Sequence, residues 1–464
     1  MEQEVSDNRL KNMWQHYLTQ HYYDDKSLAK LKGQMLCGSR VVHQLTAQPA
    51  VYIVSNGETA RTFGNVHCNT PWACPHCTPI VMAKFGERIA CAIDALAQWY
   101  NQLATMITFT IPHTAGMSCK TSFEILRKTW RMFTHGGNRK TFKGYYTKSD
   151  GTISTYNKHN GAYAVWRNEL ESVHNIRVYE TTWGENSWHP HIHALFWFPK
   201  KHFYKCVNDE DKLLDQWWHC AKHCTLQYFN KTHPENKAKN KAFVEELYAD
   251  WRKYPKTGHR SLWISKEADG SPRVMKSSYY ISGWTGDFEM THTNSKNARD
   301  KGHYAPHQML IKAYNAKVKG DKETYDKFMQ LYAEYAEATK GAIRNQFSLS
   351  GISKIIAKWK ASNDYYELQK KRFMEKATDR KPWNVVVWFT EQQWKELSFL
   401  DKFEDANLLP TILEVATVKA PLDFRRRVIA TYLLKFSIDI TYNDPDDEKC
   451  RLIAEKIFEN KFLA

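Results

Sequence analysis

The feature that most constrains the fold of this chain is WHPHIHALFWF at residues 188–198, where three histidines occupy alternate positions before an apolar, aromatic run. Alternate side chains leave the same face of a β-strand, so this spacing predicts a strand whose imidazoles stand in a row above a sheet. With 20 histidines in 464 residues, chance gives roughly one His-x-His pair but only about 0.04 copies of the triplet. The row therefore indicates a specific role for these side chains.

The tetrapeptide GENS at residues 184–187 separates two extended segments and predicts a β-hairpin. With a turn through its two central residues, Glu180 lies opposite His191 and projects beside His193 on the same face. Two imidazoles and a carboxylate form a mixed nitrogen and oxygen site with open positions, which suits Mg²⁺ or Mn²⁺ on a phosphate oxygen. His189, at the entrance of the strand, is a weaker candidate ligand. A register shifted by one residue would turn Glu180 to the opposite face.

The charge balance points to a polyanionic partner. Lys and Arg number 66 against 50 Asp and Glu, which gives a net charge of +16 and favours nucleic acid before membrane. Aromatic residues make up 14% of the chain, enough for cores and for stacking on unpaired bases. The N-terminus has no apolar signal-peptide region, and no run approaches the ~18 apolar residues of a spanning helix. We expect a cytoplasmic protein that does not enter the membrane.

Four of the ten cysteines lie between positions 37 and 77, which favours a metal site in a reducing compartment over a disulfide framework. The turn CPHC can hold one tetrahedral ion between two thiolates. The predicted ligands of a structural zinc ion are Cys37, Cys68, Cys74 and Cys77. His67 and His76 are alternatives to the first of these. A second group, HCAKHC at residues 219–224, has helical i, i+4 spacing and predicts a half-buried helix rather than a metal site.

Several strings together resemble one family. HPHIH is similar to the His-hydrophobic-His motif of the HUH endonucleases, and VYETTWGENSWHPHIHALFWF resembles the replication initiator (Rep) proteins of small rolling-circle plasmids. Further strings resemble the family's zinc segment (residues 68–77), its first motif (MITFTIPH, 106–113), its tyrosine-bearing region (SSYYISGWTGDFEMT, 277–291, then APHQML, 305–310) and the segment that follows (YAEYAEATKGAIRNQFSLSGI, 332–352). The resemblance covers roughly residues 37 to 355, and motifs found together are more specific than any one alone.

The resemblance implies a tyrosine that attacks DNA phosphorus, becomes linked to the 5′-phosphate and leaves a free 3′-OH for a polymerase. Alignment to the family pattern Tyr-x-x-Lys makes Tyr280 the nucleophile and Tyr279 the alternate. The family's lysine position falls on Gly283, and Lys276 could stand in for it as the cation that helps deprotonate the phenol if the segment is helical. Glu289 would position a water for a hydrolytic turnover step.

The predicted fold class is α+β: an HUH nuclease domain with a central antiparallel sheet flanked by helices, an N-terminal zinc-binding segment and a helical C-terminal region. Thr108 and Thr110 alternate on one face of MITFTIPH and are expected to act as scaffold or phosphate contacts. Residues 136–161 are rich in Gly, Lys, Ser, Thr and Asn and predict a long basic loop or insertion, either solvated or in contact with DNA. The predicted domains are residues 1–92 (helix and zinc segment), 93–315 (nuclease), 316–379 (helical extension) and 380–464 (C-terminal domain).

The expected function is a rolling-circle replication initiator that nicks a plasmid origin with a divalent ion. Its expected substrates are single-stranded DNA and an origin hairpin, and its expected partners are a host helicase and polymerase. Two alternatives stay open. One is the same chemistry in a transposase or relaxase. The other is a non-catalytic DNA-binding regulator that retains the fold, to which Gly283 points.

Overall fold

The structure, a computed structural model, describes residues 6–22, 31–41, 51–70, 72–135, 143–147, 153–157, 170–171, 174–184, 187–249, 262–276, 302–340, 352–376 and 384–438. The elements of the N-terminal half are α1 (Asp7–Tyr22), α2 (Lys32–Met35), β1 (Arg40–Val41), β2 (Val51–Ser55), β3 (Ala60–Phe63), β4 (Asn65–Val66), α3 (Cys77–Tyr100), β5 (Gln102–Thr110), α4 (Cys119–His135), β6 (Lys143–Thr147), β7 (Ile153–Asn157), β8 (Asn175–Gly184) and β9 (Ser187–Pro199). Those that follow are α5 (Lys200–Phe203), α6 (Glu210–Thr232), α7 (Lys237–Ala249), β10 (Leu262–Ile264), α8 (Pro306–Val318), α9 (Lys322–Thr339), α10 (Ser353–Lys360), α11 (Asn363–Lys376), β11 (Asn384–Phe389), α12 (Glu391–Phe403), α13 (Leu408–Ala416) and α14 (Leu422–Leu434), with short 3-10 turns at Cys206–Asp209 and Pro234–Asn236.

The chain divides into two compact units, each built from segments that are far apart in sequence. The first comprises Met1–Val81, His307–Lys340 and Leu368–Ala464, and the second comprises Met82–Pro306 and Gly341–Glu367. This division differs from the four consecutive domains predicted from composition, because both ends of the chain belong to one unit.

The first unit contains a three-stranded antiparallel sheet in the order β11, β2, β3. The apolar run NVVVWF forms β11, which pairs with β2 so that Val387 lies opposite Ile53. Both side chains are fully buried in a core that α12, α13 and α14 complete. The C-terminal block therefore completes the sheet of the N-terminal segment instead of forming a unit of its own.

Two helices of this unit begin where their sequences supply caps. Thr390 Oγ1 accepts a hydrogen bond from Gln393 N (3.2 Å), and Gln393 Oε1 accepts one from Thr390 N (2.8 Å), which forms a capping box before α12. The carboxylate of Asp401 accepts hydrogen bonds from Leu408 N and Leu409 N at the start of α13. These contacts satisfy backbone donors that the first turn of a helix leaves without intrahelical partners.

The second unit contains a four-stranded antiparallel sheet in the order β10, β5, β9, β8. One face packs against α4 and α6 through an aromatic cluster of Phe109, Trp130, Phe133, Phe196 and Trp217. The opposite face carries the histidine row at the hairpin end of β9 and the buried Leu195 and Trp197 farther along. The predicted α+β class, with antiparallel sheets flanked by helices and a helical C-terminal region, is confirmed at this level.

The predicted basic loop or insertion at 136–161 contains regular structure, so it is not a loop throughout. Within it, β6 and β7 pair as an antiparallel hairpin, with Lys143 opposite Asn157 and Thr147 opposite Ile153. The reason is local: GYYT and ISTY are rich in aromatic and β-branched residues, which favour strands, and KSDG between them supplies turn residues. The lysine and glycine content of this segment favoured the prediction of a loop over that of a strand pair.

The helices that the structure describes include none with both the length and the apolar content needed to cross a bilayer.

Candidate metal centres

The first candidate centre lies on one face of the four-stranded sheet of the second unit. Strands β8 and β9 pair with Glu180 opposite His191, Val178 opposite His193 and Gly184 opposite Ser187. The predicted register is therefore confirmed, and the carboxylate and both imidazoles stand on one face. Their ligand atoms lie within 4.8 Å of one another.

The glutamate stands between the two histidines. Glu180 Oε2 lies 2.7 Å from His193 Nε2 and 3.2 Å from His191 Nε2. Both imidazole nitrogens thus converge on one carboxylate oxygen. Ligand atoms this close together could hold a divalent ion, with further positions open to solvent or substrate.

A threonine of β5 orients the inner histidine. Thr108 pairs with His193 across the strands, and its Oγ1 lies 3.0 Å from His193 Nδ1. Because that contact occupies Nδ1, Nε2 is the nitrogen that faces the carboxylate. Thr110 Oγ1 donates to the carbonyl of Pro190 (3.0 Å) and holds the entrance of β9 instead. Both threonines thus act as scaffold, and their contact with a phosphate stays a prediction.

The three residues of the site differ in burial, and the two histidines lower the pKa of the glutamate. Glu180 and His193 are buried, whereas the side chain of His191 retains 16% of its exposure, so the site opens on the His191 side. Burial alone would raise the pKa of the Glu180 carboxyl, but the neighbouring His191 and His193 outweigh it and hold that pKa well below its ordinary range. The carboxylate is therefore ionised at neutral pH, as a metal ligand must be.

The third histidine of the row contacts a residue that the sequence did not single out. The ring of His189 lies 4.7 Å from that of His113, and His189 is not among the three residues whose ligand atoms converge. Its weaker candidacy as a ligand is consistent with this geometry. His113 ends the string MITFTIPH, and only the pairing of β5 with β9 brings it here.

The described part of this segment ends at Lys276, before the predicted nucleophile region at 277–291. Tyr279, Tyr280, Gly283 and Glu289 lie outside the described residues. Lys276 is exposed and lies in an irregular segment rather than in a helix, so the helical placement expected for it is not seen up to that residue. One position earlier, Met275 N donates to Ala104 O on β5 (2.9 Å), which ties this segment to the sheet.

The second candidate centre is the cysteine cluster of the first unit, where the four predicted thiols meet. The Sγ atoms of Cys37, Cys68, Cys74 and Cys77 all lie within 4.8 Å of one another. The Sγ of Cys77 is 3.4 Å from that of Cys37 and 3.6 Å from that of Cys68, and the Sγ atoms of Cys74 and Cys37 are 3.7 Å apart. A tetrahedral zinc ion with Zn–S bonds of ~2.3 Å needs sulfurs ~3.8 Å apart. Four sulfur ligands close the coordination shell, so the set fits a structural zinc.

The four thiols shift one another's pKa values. The hydrogen bond with Cys68, followed by those with Cys74 and Cys77, lowers the pKa of the Cys37 thiol, whereas the hydrogen bond with Cys37 raises the pKa of the Cys74 thiol. Close packing without a cation therefore lowers the pKa of some of the four thiols and raises that of others. A bound cation would favour all four thiolates.

Residues distant in the sequence hold the loops that carry these cysteines. Gln15 Nε2 on α1 donates to the carbonyls of Gln34, Met35 and Cys37 at 2.9–3.0 Å. The hydroxyl of Tyr332 donates to Ala73 O (2.9 Å), immediately before Cys74. Long-range contacts of this kind leave no local signal in a sequence.

The residue after Cys37 must be able to adopt a left-handed conformation. Gly38 has φ +80°, and a Cβ there would lie 3.2 Å from Lys11 Nζ. Its carbonyl also accepts a hydrogen bond from Trp394 Nε1 (2.9 Å). Glycine at this position thus allows the chain to turn directly after the first ligand.

The alternative zinc ligands do not enter the cluster. His67 and His76 stack on each other with ring centroids 4.6 Å apart, and His67 Nδ1 is 3.8 Å from Cys37 Sγ. Burial, with the nearby charge of Lys11, lowers the pKa of His76 to about 3, so this imidazole is neutral. Cys37 therefore keeps its place as the fourth candidate ligand.

The group HCAKHC lies on α6, as predicted, and is not among the groups with metal-ligand geometry in the described residues. Cys224 Sγ contacts Met132 Sδ at 3.7 Å. Burial raises the pKa of Cys220 to about 12 and that of Cys224 to about 11. These thiols are therefore protonated at neutral pH and belong to the packing of α6.

Comparison with protein-family models, with curated proteins and with solved structures found no match.

Proposed function

We propose that this protein is a divalent-metal-dependent, single-strand DNA endonuclease of the HUH type that initiates rolling-circle replication of a plasmid. The observation that carries the proposal is the convergence of Glu180, His191 and His193 on one face of an antiparallel sheet, with Glu180 Oε2 between the two imidazoles. The sequence motifs that resemble the Rep family supply the reaction class.

Different residues of the site would hold the cation, orient its ligands and face the incoming phosphate. Glu180, His191 and His193 would hold Mg²⁺ or Mn²⁺, and Thr108 keeps the ring of His193 in place. When bound, such an ion supplies positive charge for the non-bridging oxygens of a scissile phosphate. His191, on the exposed side, is the ligand nearest to an incoming strand.

The proposed nucleophile is within reach of this site by chain length. Met275 is tied to Ala104, and Thr108 lies four residues farther along β5, about 14 Å at ~3.4 Å per residue. The five residues from Met275 to Tyr280 span at most about 17 Å. The chain from Met275 to Tyr280 is therefore long enough to cover the distance from Ala104 to Thr108.

The remaining features are consistent with DNA as the substrate. A net charge of +16 supports binding to phosphates, and affinity for DNA should fall steeply with salt. The cysteine cluster would bind zinc as a structural element, since it holds no catalytic base. The proposed protein acts on plasmid DNA in the cytoplasm, where a host helicase unwinds the duplex and a host polymerase extends the 3′-OH that it leaves.

The test uses labelled single-stranded hairpins taken from inverted repeats in the DNA that flanks the gene. We expect a covalent protein–DNA adduct in the presence of Mn²⁺. The adduct should disappear in Tyr280→Phe and in His193→Ala, and persist in Tyr279→Phe and in the control His219→Ala, which alters an exposed histidine of α6.

Other results would redirect the proposal. Loss of the adduct in Tyr279→Phe but not in Tyr280→Phe would move the nucleophile by one residue. Adducts with transposon ends or transfer origins instead of replication origins would indicate a transposase or relaxase. No adduct with any hairpin or metal ion, with DNA binding intact, would favour a non-catalytic regulator.

A further inference from the structure

The short edge strand β10 exposes one large aromatic side chain beside the histidine site. Trp263 retains 48% of its exposure, whereas its neighbours Leu262 and Ile264 are fully buried. The alternation of a β-strand accounts for this pattern: the two aliphatic residues face the aromatic core under α4 and α6, and the tryptophan faces the other way.

Strand register places this tryptophan on the same face as the metal ligands. Trp263 lies directly opposite Thr108, and Thr108 lies directly opposite His193. Neighbouring strands are ~4.8 Å apart, so the backbones of Trp263 and His193 are about 10 Å apart across the sheet. That distance is comparable to the separation between a phosphate and a base of the adjoining nucleotide.

The strand that carries Trp263 is anchored. The side chain of Glu210, at the start of α6, accepts a hydrogen bond from Ile264 N (3.0 Å) and pairs with Lys266. Ser265 N donates to Met106 O (2.8 Å), which extends the attachment to β5. The backbone that carries the indole is therefore fixed, so its ordering costs little when a base stacks on the ring.

We propose that Trp263 is the stacking surface for an unpaired base of the single-stranded substrate, next to the phosphate that His191 and His193 receive. This inference rests on the proposed function, because that function places a phosphate at the histidines. Stacking on an aromatic side chain tolerates every base, since each has a π-face, and contributes about fivefold to 150-fold in affinity per base. Trp263 would thus position the strand and favour single-stranded over duplex DNA.

Binding of a fluorescein-labelled dT20 oligonucleotide to the full chain, measured by anisotropy at fixed salt, tests this role without the origin sequence. Trp263→Ala and Trp263→Leu should each weaken binding at least fivefold, because neither keeps a π-face. Trp263→Phe should stay within about threefold of the unaltered protein. The control Tyr204→Ala removes another aromatic side chain of the same unit, 57% exposed and next to α5, and should change nothing.

A duplex of the same length separates stacking from general charge attraction. Its affinity should be the same for all four variants, and melting temperatures should show that each variant is folded. Equal binding of dT20 by Trp263→Ala and the unaltered protein would overturn the proposal. So would a Trp263→Leu variant that binds as Trp263→Phe does, because bulk alone would then suffice.

The covalent-adduct assay keeps this inference distinguishable from the nuclease proposal. If hairpins form the adduct with unaltered efficiency in Trp263→Ala and dT20 binding is unchanged, the stacking role is wrong and the nuclease stands. If no hairpin forms an adduct but Trp263→Ala still loses dT20 affinity selectively, the nuclease is wrong and the stacking surface stands.

Discussion

Thr108 Oγ1 lies 3.0 Å from Nδ1 of His193, although the two residues are 85 positions apart in the chain. The contact exists because β5 and β9 pair with these residues directly opposite each other. It fixes the orientation of the imidazole, so that Nε2 points at Glu180 Oε2 2.7 Å away. The inner ligand of the proposed metal site is therefore oriented before any ion arrives.

Thr108→Val tests this support. Valine keeps the shape of the side chain but removes the hydroxyl, so we expect affinity for Mn²⁺ to fall about tenfold to 100-fold, as for other outer partners of metal-bound histidines. Isothermal titration of the metal-free protein with Mn²⁺ measures the change. Thr108→Ser, which keeps the hydroxyl, should bind nearly as the unaltered protein does. Equal affinity in Thr108→Val would show that packing alone orients the ring.

Zinc content tests the cysteine cluster. Cys68→Ser removes one of four convergent sulfurs, so the purified protein should lose its zinc, measured by inductively coupled plasma mass spectrometry. The control Cys220→Ser changes a partly exposed cysteine of α6 and should keep one zinc per chain. Zinc retained in full by Cys68→Ser would contradict the four-sulfur site.

Alkylation by iodoacetamide distinguishes the two cysteine groups by pH. The thiolate is the reactive form, and burial raises the pKa of Cys224 to about 11, so this thiol stays protonated and unreactive at pH 7.5. Chelation of zinc should open the partly exposed Cys68 to rapid labelling, while Cys220 and Cys224 remain slow, since burial raises the pKa of both thiols. Peptide mass mapping before and after chelation measures both groups in one sample. Fast labelling of Cys224 at pH 7.5 in the folded protein would be incompatible with its burial.

The sequence was most informative where a pattern repeats locally. Period-two alternation and a turn tetrapeptide are sufficient to place Glu180 opposite His191, because register in a tight hairpin follows from turn length. The spacing of Cys68, Cys74 and Cys77 likewise carries its own geometry. Cys37 lies in a separate segment, so its prediction as the fourth ligand rested on the chemistry of the thiol rather than on spacing.

What the sequence could not supply is contact between distant segments. Gln15 belongs to no motif, and the string that begins at Tyr332 carries no pattern that links it to the cysteines, yet both residues bind the backbone of the cysteine loops. Trp263 sits in a strand too short to be distinguished from a loop, and only its pairing with Thr108 connects it to the site. Composition predicted separate domains for the C-terminal block and the N-terminal segment, although β11 and β2 pair in one sheet. Composition contains no information on strand pairing.

The pairing of Val387 with Ile53 leads to a prediction about cooperativity. Val387→Asp places an unpaired carboxylate in the core of the first unit and should lower the free energy of unfolding by about 3–5 kcal/mol. Val385→Asp, two residues away at a position that is 38% exposed, should cost only about 1 kcal/mol.

Zinc release during urea titration reports on the cysteine loops of the same unit. If the chain ends fold together, Val387→Asp should lower the urea midpoint of zinc release as well as that of the circular dichroism transition, and Val385→Asp should move neither much. A C-terminal block that folded independently would instead lose its structure in Val387→Asp while zinc release kept its original midpoint.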